Sequence, residues 1–113
     1  MKAVTLEIAS RDDVTRRALE AFGGRKQRAR ISFATPELLW KVLTAKRWEV
    51  LKAMTGQGPL TIREVARRVG RDVKAVHGDV HALIDAGLLD KTEKNHVVFP
   101  FDVIRVEFTL RAA

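Results

Sequence analysis

The chain has 113 residues, 46% of them hydrophobic and 31% charged, which is enough for one compact domain with a well-solvated surface. It contains no cysteine, which excludes disulfides, zinc ribbons and thiol catalysis, and no apolar run approaches the roughly 20 residues of a bilayer span. A formal charge of +7 suits a polyanionic partner, and the N-terminus lacks a signal-peptide pattern, so the expectation is a soluble cytoplasmic protein without membrane contact.

At the N-terminus Val4, Leu6 and Ile8 alternate with Thr5 and Glu7, a two-residue period that predicts a half-buried strand with its polar side outward. Ser10 is placed to cap a helix that carries Asp12 and Asp13 in its first turn, Val14, Ala18 and Phe22 on one stripe, and Gly23-Gly24 as its stop. The basic run Arg25 to Arg30 follows as a loop. It reads equally as a second phosphate grip, a linker, or a surface for an acidic partner. Residues 1–34 hold eight Lys/Arg against four Asp/Glu, so much of the positive field originates here. Ile31 and Phe33 suggest a short strand.

Thr35-Pro36-Glu37 is a helix start: a capping hydroxyl, a proline where its missing N–H costs nothing, then an acid. Leu38, Leu39, Val42 and Leu43 supply its apolar face. Thr44 begins a second helix with Trp48, Leu51 and Met54, which Gly56-Gln57-Gly58-Pro59 terminates. Trp40 and Trp48 lie on apolar stripes and read as core.

Thr61 and Glu64 then have the spacing of a capping box, in which each side chain closes on the other's backbone. Ile62, Val65, Ala66 and Val69 form the buried side of this short helix, and Gly70 ends it. Asp72 caps a longer helix with Val73, Val76, Val80, Leu83 and Ile84 on one face, stopped by Gly87. Two helices joined by a tight glycine-containing turn are the helix-turn-helix pattern. Leu88-Leu89, the polar stretch Asp90 to Asn95, and His96-Val97-Val98-Phe99 complete a β-hairpin with a charged tip. Ile104, Val106, Phe108 and Leu110 alternate with Arg105, Glu107 and Thr109 as a final amphipathic strand. The predicted fold is α+β, a winged helix-turn-helix over residues 35–100. Residues 1–34 form a strand-helix extension and residues 101–113 a C-terminal strand for dimerisation or partner binding.

The spans Leu43 to Trp48, Leu60 to Ala66, Arg71 to Val80, Gly87 to Leu89 and Pro100 to Glu107 resemble a prokaryotic family of MarR-like winged-helix transcriptional regulators. The similarity covers nearly the whole chain. Members are often encoded beside a small toxin, so the resemblance implies an antitoxin that also represses its own operon. Where that family typically carries a basic residue in the middle of the recognition helix, this chain has Gly78.

The opposite face of the second helix presents Lys74, Ala75, Gly78, Ala82 and Asp85. Arg71 and Lys74 stand at the end that would enter a major groove, each able to take a guanine edge or a phosphate. Ala75 and Gly78 permit close approach and contact with a thymine methyl, and His81 is placed to lean toward DNA. Thr61 and Arg63 would meet phosphate at the start of the preceding helix, and Lys91 and Lys94 would do so from the hairpin tip. The bland alternatives are a solvated helix face for the Lys74 side and a solubilised turn for the hairpin tip, where Asp90 and Glu93 halve the local charge. Arg67 and Arg68 either touch phosphate or pair with Glu64 or Asp79. His77 and His81 have the i, i+4 spacing that can hold a metal, but a third ligand is wanting, with His77 expected to flank the core. No nucleophile-base pair, phosphate-cradling loop or carboxylate pair supports catalysis, and no cofactor is expected. These residues point to a homodimeric repressor of double-stranded DNA, since two-fold operators match two-fold proteins. The alternatives are a module that occludes a toxin protein and, more remotely, an RNA-binding winged helix.

Overall fold

The computed structural model describes residues 1–9, 29–110 and 112; the expected helix from Ser10 and the cations Arg25, Lys26 and Arg28 lie outside the described residues. The described chain is α+β, with four α-helices, two sheets and one shared core.

The first sheet joins the two ends of the chain. Strand β1 (Ala3–Ile8) lies between β2 (Ala29–Phe33) and β6 (Val103–Glu107), and both pairings are parallel. Leu6 stands opposite Ile31 on one side and Val106 on the other. Val4 and Leu6 are fully buried, as their alternation predicts. The expectation that the intervening polar residues face outward does not hold at Glu7, which is only 6% exposed. Its carboxylate accepts from Arg30 Nη1 at 3.1 Å and from Ser32 Oγ at 3.3 Å across the β1–β2 pair, so the charge is buried with partners. One cation of the basic run is thereby committed to the fold. The end strands, whose pairing within or between subunits the sequence leaves open, pair with each other in one subunit.

Helix α1 (Pro36–Val42) starts as its residues dictate: Thr35 Oγ1 accepts from the Leu38 N–H at 3.3 Å and Pro36 occupies the first turn. Helix α2 (Ala45–Met54) is capped in the same way by Thr44, which accepts from the Arg47 N–H at 3.2 Å. Leu39, Val50, Leu51 and Met54 point into the core. Trp48 packs against it, but Trp40 is 53% exposed and is not a core residue, contrary to the periodicity.

Strand β3 (Leu60–Thr61) leads into α3 (Ile62–Val69) and α4 (Val73–Asp85). Gly70 adopts φ 66°, the left-handed region in which a Cβ would be strained, and the Gly70 and Arg71 N–H groups return to the carbonyls of Arg67 and Ala66 at 3.2 and 3.1 Å. Asp72 then caps α4 by accepting from the Lys74 N–H at 3.0 Å. Val65, Ala66, Val76, Val80 and Leu83 pack between the helices. Strands β4 (Asp90–Lys91) and β5 (His96–Val98) form an antiparallel hairpin, with β3 added on the far side of β5. Leu88, Leu89, Val97 and Phe99 anchor this sheet in the same core that holds Val4 and Leu6. Among the described residues no helix is long and apolar enough to cross a membrane.

Candidate nucleic-acid interface

Helix α4 and the β4–β5 hairpin stand on either side of a groove of about 480 Å³. Four residues singled out from sequence line it: Thr61 and Arg63 at the start of α3, His81 on α4 and Lys91 on β4. The other predicted contacts are placed differently. Lys74, Ala75 and Gly78 are exposed on α4 and Lys94 is exposed in the hairpin turn, but none of them lines the groove. The hairpin turns through Lys94 and Asn95, both left-handed at φ 66° and 60°. Asparagine tolerates that conformation; lysine adopts it less readily.

Val73, His77 and His96 also line the groove, although their positions do not mark them as contacts. Val73 belongs to the apolar stripe by its spacing, but it stands in the first turn of α4, is 42% exposed and borders the groove. His77 faces the groove and not the core, with its ring 4.2 Å from that of His81. Residues 73, 77 and 81 are spaced four apart, so the signal for this second stripe was legible in the sequence. His96 also lines the groove, and its Nδ1 donates to the Lys94 carbonyl at 2.8 Å, bracing the turn. All three histidines of the chain thus border one groove. Among the described residues no group of three His, Cys, Asp or Glu could hold a metal ion.

Arg71 requires a correction. Its Nη2 lies 2.8 Å from Asp79 Oδ2, its side chain is 21% exposed, and its buried Nη1 makes no hydrogen bond. The ion contact falls outside hydrogen-bond angles, since Asp79 Oδ2 is likewise without a hydrogen bond. The guanidinium turns inward to α4 and is not presented to a groove, because a half-buried carboxylate at Asp79 demands positive partners. Arg47 is the other partner.

Glu64 shows the opposite outcome for the capping box. Thr61 Oγ1 does accept from the Glu64 N–H at 3.1 Å. The Glu64 carboxylate, however, turns away from Thr61 to pair with Arg67 and with Arg68, the latter at 2.9 Å. Hydrogen bonds from Arg67 and then Arg68 hold its pKa down at about 2, and the Arg67 pKa is raised in return. Arg68 also donates to Gln57 Oε1 at 2.7 Å. Both arginines therefore pair with Glu64, and neither reaches Asp79. By contrast Arg63, Lys74, Lys91 and Lys94 form no ion pair among the described residues.

The profile of the HVO_A0114 family matches residues 42–106, from the end of α1 to β6. No curated protein matches the chain.

Proposed function

The chain belongs to the HVO_A0114 family, and we propose that it binds double-stranded DNA through a winged helix-turn-helix and regulates transcription as a repressor. In this reading α3, the Gly70 turn and α4 are the helix-turn-helix and the β4–β5 hairpin is the wing. The face of α4 bearing Lys74, Ala75 and Gly78 enters the major groove, where small residues let the helix axis approach the base edges. Arg63 and the first N–H groups of α3 hold a phosphate, and Lys91 and Lys94 follow the backbone from the wing.

The observation that carries the reading is the division of the cations. Arg30, Arg47, Arg67, Arg68 and Arg71 are paired with carboxylates. Among the described residues Lys2, Lys41 and Lys46 are also without an ion pair and stand away from the groove, but four unpaired cations gather at it: Arg63 and Lys91 line the groove, and Lys74 and Lys94 are exposed on the two elements that form it. Charge left without an internal partner on one surface favours an external polyanion.

Fluorescence anisotropy tests this directly, using a labelled duplex from upstream of the protein's own reading frame and a random duplex, each over a range of salt. Three phosphate contacts per head, or four if Lys74 meets a phosphate, predict a log–log salt slope of roughly −3 to −4 per bound head, with tighter binding to the upstream duplex. Binding to neither duplex, or binding that ignores salt, would overturn the proposal.

A further inference from the structure

Strand β6 is an outer strand of the β2-β1-β6 sheet, and its second edge has no partner among the described residues. Open edges are usually blunted by charged side chains, lysine above all, by proline or by a bulge; residues 103–107, Val-Ile-Arg-Val-Glu, have no lysine, proline or bulge, and their two charges are of opposite sign. The edge is also apolar on one side. Ile104 and Val106 share a face of β6 by their two-residue spacing, Phe108 follows just past the end of the strand, and Ile104 packs on the core. Val106 and Phe108 remain 37% and 44% exposed. Beside them Trp40 meets Phe108 edge to face, with ring centroids 5.7 Å apart, and a groove of about 370 Å³ opens between Trp40, Leu43, Trp48 and Val106.

We propose that a second copy of this chain docks on this edge, with the two β6 strands antiparallel and the two-fold axis at Val106. The result is a continuous sheet in the order β2-β1-β6-β6-β1-β2. The register follows from pleat and charge. Facing residues lie on the same side of a sheet, so the apolar faces of both copies coincide only when each residue meets one of matching parity. That leaves axes at Ile104, Arg105, Val106 and Glu107; the one at Ile104 sets Val103 opposite Arg105 and forms no ion pair across the strands. An axis at Arg105 sets Arg105 against itself, and one at Glu107 sets Glu107 against itself; both oppose like charges. The axis at Val106 sets Arg105 opposite Glu107 of the second copy twice over, Val106 against Val106, and Ile104 against Phe108.

The two charges are available for this exchange. In the single chain Arg105 Nε and Glu107 Oε1 are 3.0 Å apart, and their side chains are 62% and 52% exposed. They lie on the polar side of the sheet, where Arg105 neighbours Thr5 and Glu107 neighbours Glu7 in the β1 register. Charge complementarity selects a copy of the same strand, because β6 read backwards presents the opposite sign at each charged position. The pairing rests on the sheet edge and not on the α3–α4 face, so it stands whether or not the chain binds DNA.

Sedimentation velocity on the full chain and two charge reversals provides the test, with circular dichroism to verify folding. The unaltered protein should sediment as a dimer. Arg105→Glu and Glu107→Arg should each weaken dimerisation by roughly ten-fold or more in Kd, because each replaces two attractive cross-strand pairs by two repulsive ones. An equimolar mixture of the two variants should recover the original dimer, since every Arg–Glu pair is restored between unlike copies. A monomeric unaltered protein would overturn the proposal. So would a dimer indifferent to both reversals, or folded single variants that fail to associate when mixed.

Discussion

Arg47 Nε donates to Asp79 Oδ1 at 3.1 Å, joining α2 to the middle of α4 across 32 residues of sequence. The same guanidinium donates through Nη1 to the carbonyls of Lys41 and Val42 at 3.1 and 3.0 Å, satisfying the end of α1. With Arg71 on the other oxygen, Asp79 fixes the turn before α4 and the helix behind α4 relative to the face that α4 exposes. The orientation of the proposed reading head thus depends on a carboxylate turned away from the exposed face of α4.

Asp79→Asn should accordingly destabilise the fold by about 1–3 kcal/mol, because two arginines lose a charged partner in a half-buried site. Urea unfolding should show a lower midpoint with an unchanged m-value. Arg71→Ala should lower stability in the same sense, and it should weaken DNA binding equally on upstream and random duplexes. Selective loss on the upstream duplex at full stability would return Arg71 to the base-reading set.

Gly78 separates stability from contact. An added Cβ there meets nothing within 4 Å, so Gly78→Ala fills open space on a regular helix. The fold should gain up to about 1 kcal/mol, visible as a rise in Tm. If the α4 face lies close against the major groove, the same substitution weakens binding to the upstream duplex. A stabilised variant with unaltered affinity would place Gly78 off the interface.

For the cations, Arg63→Ala, Lys74→Ala, Lys91→Ala and Lys94→Ala should each leave the Tm nearly unchanged, since none takes part in an ion pair. Each should reduce the magnitude of the salt slope by about 1 if its side chain meets a phosphate. Lys74→Ala has a second outcome to distinguish. Loss confined to the upstream duplex would mark it as a base contact.

Glu64 gives the pH prediction. Its carboxyl is held at about 2 by Arg67 and Arg68, below the ordinary 4.5. The folded-state pKa is depressed, so its contribution to stability is fully present above the ordinary value. That contribution is lost as pH falls through about 2. NMR titration of the Glu64 side-chain carbon should show it ionised throughout the pH 3–5 window in which ordinary glutamates protonate. Arg67→Ala should move the titration toward 4.5, and so should high salt, because the three side chains lie at the surface. A midpoint near 4.5 in the unaltered protein would mean the cluster does not persist in solution.

The local signals were legible in the sequence. Thr35, Thr44, Thr61 and Asp72 all cap the helices they precede, and Gly70 makes the left-handed turn, because a cap or a turn is settled by residues two to four apart. The groove residues Thr61, Arg63, His81 and Lys91 were each legible from their local elements, but it is the packing of α3, α4 and the hairpin that brings them to one groove. What only the tertiary structure decided depends on distant partners. Periodicity marks Glu7 as outward, yet Arg30 and Ser32 bury it from 23 and 25 residues away. It counts Trp40 as core, although helix α1 turns that ring toward Phe108 at the sheet edge. It leaves the two ends as separate extensions, whereas the Lys2 N–H donates to Asp102 and β1 lies along β6 in one core. Arg71 is the sharpest case, since its residue type and helix position suit a base edge equally well. Its inward turn depends on Asp79, eight residues on, and on the Arg47 of another helix that completes the pair. A sequence period states which side of an element a residue occupies, but only the packing of other elements determines whether that side meets water, core or charge.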